Sequence, residues 1–239
     1  MSLPDAHTLY EVCARTWPAA CKTQVGPWTI RDGKGGGQRV CAATLEGELD
    51  NISRAEAAMR NLGQPALFMI RDGDDALDAA LEARSYAIKD PVNLYACPIE
   101  QLTDLPIPKV TAFTIWEPLH IMRDIWEAGG IGPQRVDVME RCTGPKAGLL
   151  GRWNDHPAGT GYVAIHNRIA MVHALEILPH QRGQGVGKWM MRRAAVWAEA
   201  EGAQHMSVIC TQQNAAANGL YRALGMALVG SYHYRIRQT

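Results

Sequence analysis

The run Leu178-Pro179-His180-Gln181-Arg182-Gly183-Gln184-Gly185-Val186-Gly187-Lys188 constrains this chain more than any other segment. It follows an apolar, strand-like stretch and leads into a helical pattern, so it reads as a strand, a tight glycine turn and a helix start. Gly183, Gly185 and Gly187 let the backbone turn sharply and bring its N–H groups close to a ligand. Those groups point along the dipole of the helix that follows, which makes an anion site suited to phosphate. The spacing excludes two familiar alternatives. No Gly-Lys-Ser/Thr closes a four-residue gap, as a P-loop requires, and Gly183-Gln184-Gly185-Val186-Gly187 lacks the G-x-G-x-x-G of dinucleotide folds.

Arg182, Gly185 and Gly187 together resemble the Arg-x-x-Gly-x-Gly signature of the GNAT superfamily, the acetyl-CoA-dependent N-acetyltransferases. The resemblance continues through Val208-Ile209-Cys210, Asn214, Asn218, Tyr221 and Gly225-Met226. It implies an α/β fold, a mixed sheet flanked by helices, with acetyl-CoA as acyl donor. It also implies that the loop from Arg182 through Gly183, Gln184, Gly185, Val186 and Gly187 to Lys188 holds the pyrophosphate of coenzyme A. Backbone groups of Leu175 and Ile177 on the preceding strand would then run beside the pantetheine arm. The acceptor implied is the primary amine of a small molecule or amino-acid-like compound. A catalytically silent CoA-binding sensor or interaction module is the competing expectation.

Chain organisation divides near residue 105, at a connector with three prolines in the eleven residues from Pro98 to Pro108. Proline removes a backbone donor and disfavours helix in the residue before it, so an extended linker is predicted. Residues 106–239 read as a complete unit. Strands are predicted over 109–116, 146–153, 160–166, 169–178 and 206–210, and helices over 119–128, 188–201 and 214–224, with further strand from Met226 onward. Residues 1–105 also alternate helix and strand, and Leu81-Glu82-Ala83-Arg84-Ser85-Tyr86 loosely echoes Leu220 to Gly225. That echo predicts a degenerate GNAT-like copy whose Glu82 falls near the place of Tyr221. A strand is predicted over 38–43, joined to the one at 28–31 by a flexible hairpin turn at Asp32 to Gly37. Ser53 with Glu56 suggests a capping box for a helix over 53–62.

Composition narrows the partners. Lysine plus arginine equals aspartate plus glutamate at 24 each, a balance that gives no support to nucleic-acid binding or to an anionic membrane surface. No run of ~18 apolar residues is present, so no spanning helix is predicted. The six cysteines show no Cys-x-x-Cys pair and the histidines no metal-ligand spacing. A cytoplasmic protein with reduced thiols, no metal, and a monomeric or homodimeric state is expected. Arg192 and Arg193 read as a solvated helix face, and Trp189 and Trp197 as packing residues.

Acyl transfer from a thioester to an amine poses two proton problems. An amine of pKa ~10 must lose a proton before it attacks, and the departing thiolate gains from a nearby acid. Asn214, Asn218 and Tyr221 sit at i, i+4 and i+7, one face of a helix. Tyr221 is the candidate acid, and the resemblance implies that the asparagines help bind the cofactor, although Asn214 also suits an N-cap. His173 is the first candidate base, because His173-Ala174-Leu175 resembles the His-Ala-Leu of arylalkylamine-type GNAT enzymes. Their second histidine falls at Met171 here. Simple strand alternation puts His173, Leu175 and Ile177 on one face and Glu176 on the other. Glu176 is the reserve base, within reach if the strand bulges.

Overall fold

A computed structural model describes residues 2–237. In chain order the elements are α1 (Ala6–Thr16), β1 (Cys21–Val25), β2 (Trp28–Asp32), β3 (Thr44–Leu45), α2 (Ile52–Asn61), β4 (Leu67–Ile70), α3 (Asp75–Glu82), β5 (Tyr86–Pro98) and α4 (Glu100–Thr103). They continue as β6 (Ala112–Ile115), α5 (His120–Ala128), α6 (Pro133–Arg141), β7 (Lys146–Trp153), β8 (His156–His166) and β9 (Ile169–Ile177). The chain closes with α7 (Val186–Ala200), β10 (His205–Thr211), α8 (Ala215–Ala223) and β11 (Ala227–Arg237). Eight strands form one sheet in the order β4-β11-β5-β10-β9-β8-β7-β6, and β1-β2-β3 form a small separate one.

The large sheet passes straight across residue 105. Strand β5 lies between β10 and β11, pairing antiparallel with both, and β4 pairs with β11. The four consecutive residues Leu94, Tyr95, Ala96 and Cys97 are buried, as befits a strand covered on both faces. What read as the closing strand of a first unit is thus central to the whole. The Pro98–Pro108 connector is not extended throughout, since it winds into α4.

Other local expectations shift for identifiable reasons. Residues 38–43 are not a strand: Gly35 and Gly37 take left-handed φ of 78° and 96°, and a 3-10 turn follows over Gln38–Val40. Strand β2 pairs instead with β1, joined through Gly26-Pro27, and on its other side with β3. Helix α2 is capped by Asn51, whose side chain accepts from the Ser53 N–H, so Ser53 itself lies inside the helix.

Helices cover both faces of the sheet. On one, α7 buries Met190, Met191, Ala194, Ala195 and Ala198 against Leu149, Val163, Val172 and Met206. Its small residues let the helix lie close, and each fully buried methionine contributes about 1.5–3 kcal/mol. On the other, α1 packs Leu9, Val12 and Cys13 against Leu94, Met171 and Tyr232, while α5 and α6 enclose Trp126, Val138 and Tyr162. Arg192 is buried on α7 and paired with Asp104, and Arg193 donates to the Ala112 carbonyl at 2.9 Å. Both arginines therefore anchor neighbouring segments to α7 rather than face solvent. All six cysteines are unpaired. Among the described residues no helix is long and apolar enough to cross a membrane.

Candidate active site

Strands β9 and β10 are the one parallel pair in the large sheet, and they pair only over part of their length. Their register runs from His205↔Ile169 to Val208↔Val172. Beyond it, Ile209, Cys210 and Thr211 pair only with β5, so the two strands part and leave β9 with an open edge. A bulge sits where they separate. Thr160 pairs with Glu176 but Tyr162 with His173, so Ala174 and Leu175 together oppose Gly161. Ala174 takes φ 50°, a left-handed conformation uncommon for a residue with a side chain. Its carbonyl accepts from the Trp126 indole at 2.8 Å, which pins the bulge to α5.

The bulge reverses the predicted facing of the strand. Leu175 and Ile177 pack with the α7 core, whereas His173 and Glu176 fall on the opposite side. A cleft of about 590 Å3 opens beside this edge. It is lined by Leu175, Glu176 and Ile177 from β9, by Arg182, Gly183, Gly185, Val186, Gly187 and Lys188 from the loop and helix start, and by Asn214 and Tyr221 from α8. Gln184 is exposed on the loop but does not line the cleft.

The loop is built as an anion cradle. Gly183 and Gly185 take φ of 77° and 76°, with nothing within 4 Å of where a Cβ would stand. Gly185 is the N-cap of α7, and no side chain caps the helix. The N–H groups of Val186, Gly187 and Lys188 therefore open its first turn, two residues earlier than the sequence predicts, with the positive end of the dipole behind them. The Arg182 guanidinium reaches back, donating to the Ile177 carbonyl at 3.1 Å and to Glu176 Oε1 at 3.1 Å. These residues fit a pyrophosphate at the loop and an extended thioester arm along β9.

On α8, Tyr221 is 4% exposed, its ring 5.7 Å from that of Tyr95. Burial pushes its phenol well above the usual value, followed by the nearby Cys210 and Tyr95, so the hydroxyl keeps its proton at every physiological pH. Asn214 lines the cleft while its Oδ1 caps α8 by accepting from the Ala217 N–H at 3.0 Å. Asn218 is absent from the cleft wall. Its amide donates to the carbonyls of Thr211, Gln212 and Asn214, and its Oδ1 accepts from Asn93 at 2.8 Å and Tyr95 at 2.9 Å. Every polar atom of that side chain is committed: Oδ1 ties α8 to β5, and the amide nitrogen holds carbonyls between β10 and α8.

His173 is likewise removed from the cleft. It is 3% exposed, beneath Trp17 and Tyr162. The Thr16 hydroxyl donates its proton to the Val12 carbonyl at 2.7 Å, so its contact of 2.8 Å with His173 Nε2 requires an N–H on that nitrogen. Nδ1 is then the acceptor for Arg39 Nη1 at 2.9 Å. Burial first, and the Arg39 charge second, hold the imidazole well below the ordinary histidine pKa. A neutral ring with both nitrogens occupied is a poor base for an outside amine. Glu176, by contrast, lines the cleft and packs on Gly129 at the end of α5.

A second cavity of about 490 Å3 lies on the other side of the strand parting, with Ala174 and Thr211 on its wall. Trp17, Arg39, Asp90 and Arg135 line it, and no spacing in the sequence singles out this group. Among the described residues no three or more His, Cys, Asp and Glu side chains converge as a metal site would require.

Comparison with known proteins gives a consistent picture. Residues 116–226 match the model of the acetyltransferase (GNAT) family. The chain is 23% identical over 247 aligned positions to an uncharacterised N-acetyltransferase, YobR of Bacillus subtilis, covering 99% of this chain and 100% of that protein. Over 73 residues it is 37% identical to streptothricin acetyltransferase of Streptomyces lavendulae, covering 30% of this chain and 38% of that enzyme. In structure it resembles a GCN5-related N-acetyltransferase from Kribbella flavida, with TM-score 0.70, 17% identity, and coverage of 98% of this chain and 96% of that one. A tandem GNAT protein from the clavulanic acid biosynthesis pathway aligns with TM-score 0.61 and 11% identity over 96% of this chain and 87% of that one.

Proposed function

We propose that this chain is an acetyl-CoA-dependent acyltransferase of the GNAT superfamily and that it acetylates the primary amine of a small molecule. Acetyl-CoA supplies the acetyl group as a thioester, whose transfer leaves a thiolate. The first-turn N–H groups of α7 and the Lys188 ammonium hold the pyrophosphate, in a cradle that only glycine conformations at residues 183 and 185 leave open. The free edge of β9 at Leu175 pairs with the amide groups of the arm. Glu176 takes the proton that an ammonium must lose before attack, and the Tyr221 hydroxyl gives one at its oxygen to the leaving sulfur.

One observation carries this reading: a single cleft gathers an uncapped helix start, a free strand edge, a carboxylate and a protonated tyrosine. His173 leaves the role of base to Glu176, because its two nitrogens already hold Thr16 and Arg39. Thermal unfolding with acetyl-CoA, CoA, ATP and NAD, followed by a screen of amines for CoA release, tests it. At a hundredfold excess over Kd a native-state ligand adds ~2.7 kcal/mol, roughly 5–11 °C for a domain of this size. Shifts with acetyl-CoA and CoA alone, together with turnover of an amine, are expected. A shift without turnover of any amine would leave a CoA-binding module and overturn the enzymatic part.

A further inference from the structure

The second cavity holds two guanidiniums and one carboxylate, Asp90, which forms an ion pair with neither of them among the described residues. Arg39 enters from the 3-10 turn after Gly37, and Arg135 from the first turn of α6. Arg135 lies against Gly37, its Nε and Nη2 each 3.4 Å from where a Cβ of that residue would stand. Arg39 spends one N–H on the neutral Nδ1 of His173 and stacks over Trp17 at 5.3 Å, neither of which cancels its charge. Arg135 donates only to the Gly130 carbonyl, at 3.3 Å. No carboxylate oxygen lies within 4 Å of either guanidinium among the described residues. The two are near enough that the Arg39 charge, after burial, lowers the pKa of Arg135. Two like charges held together in a partly buried cavity are unfavourable until an anion joins them, and a planar guanidinium fork matches a carboxylate.

We propose that this cavity binds a carboxylate carried by the acceptor, so that the substrates are amines bearing a free acid group, amino acids and compounds shaped like them. The proposal rests on the acetyl-transfer reading and adds the acceptor class to it. The cavity lies behind the strand whose edge lines the cofactor cleft, and its volume suits a small molecule. An acid gripped by Arg39 and Arg135 leaves its amine to point through the gap where β9 and β10 part.

Matched pairs of amino acids and their carboxamides, which share the amine and differ only in the acid, decide the matter. Each is tried as an acceptor with acetyl-CoA, and the N-acetyl derivative of each is tried for thermal stabilisation in the presence of CoA. The free acids are expected to have a KM at least about tenfold below their carboxamides. Arg135→Met should erase that difference while changing the KM for acetyl-CoA less than about twofold, since Arg135 lines this cavity and not the cofactor cleft. Equal use of carboxamides, or a loss in Arg135→Met that falls on both members of a pair alike, overturns the proposal. If no amine turns over, the thermal shifts still read the cavity. Stabilisation by the N-acetyl acids but not the carboxamides, absent in Arg135→Met, upholds the anion site while the acetyl-transfer reading fails. No stabilisation by any acid overturns the site itself.

Discussion

The two cavities flanking the parted strands are built on different principles. The cofactor cleft is drawn entirely from residues 175–223, and its working parts are largely backbone: two glycines in left-handed conformation, the uncapped start of α7 and the free edge of β9. The opposite cavity draws on residues from Trp17 to Tyr234, and its working parts are side chains delivered by separate elements. A backbone site tolerates variation in side chains provided the turn survives, because every residue supplies the same N–H and C=O. A side-chain site depends on distant segments arriving together, and a different set of residues changes what it accepts. On the proposed reading, one protein combines a fixed donor site with an acceptor site free to vary.

Truncation tests that contrast most severely. Residues 106–239 alone contain every lining residue of the cleft, yet they lack β5, the neighbour of both β10 and β11. Two unpaired edges within the sheet should abolish cooperative unfolding of this fragment, read by circular dichroism on heating. A fragment that melts cooperatively and is stabilised by acetyl-CoA would show the cleft to be self-sufficient. Tyr221→Phe should come next, lowering kcat about 10²–10³-fold with little change in acetyl-CoA affinity, since general acid catalysis contributes in that range. Steady-state rates and a titration of acetyl-CoA separate the two effects; an unchanged kcat would remove Tyr221 from the chemistry. Gly185→Ala introduces a Cβ at φ 76°, where there is space but roughly 1–2 kcal/mol of backbone strain. The affinity for acetyl-CoA should fall about 5–30-fold by calorimetry, with kcat at saturation nearly intact.

The smallest effect belongs to the buried histidine that supports Arg39 and concerns pH. His173 is neutral in the native state, with its pKa depressed by burial and then by Arg39. In the unfolded chain a histidine gains a proton near pH ~6.5, which the native ring refuses. As pH falls below about 6.5 the unfolded state binds the extra proton, and native stability drops by up to ~1.4 kcal/mol per pH unit until the native pKa is reached. Above that window the contribution is level. His173→Gln keeps an acceptor for Arg39 without the titration, so urea midpoints at pH 5.5 and 7.0 should lie closer together in the variant. Equal pH dependence in both proteins would mean that His173 does not carry this term.

How far the site could be read in advance follows the same division. The glycine loop and the helix after it were legible, because each depends on a few neighbouring residues, whereas Glu176 was only a reserve that needed a bulge in its strand. Asn218 shared the i, i+4 face of Asn214 on paper, but Asn93 and Tyr95, from a strand over a hundred residues away, claim its side chain. His173 matched a motif while its surroundings came from α1 and the 3-10 turn. The alternation that faced it with Leu175 failed at one bulged residue, Ala174, which no propensity marks. The prolines near residue 105 looked like a boundary because proline speaks only for its own backbone, and it says nothing of which strands β5 will join.

By itself the sequence determined the elements whose cause is local: the periodicity of the helices, the turn that glycines allow, and the helix start that follows it. Tertiary structure alone decided which strands are neighbours, which polar side chains are spent on the fold, and which two arginines share a cavity without an ion pair. The physical reason is range. Backbone conformation and helix dipoles are set within a few residues, whereas burial, pairing and the fate of a charge depend on groups that become adjacent only when the chain has closed on itself.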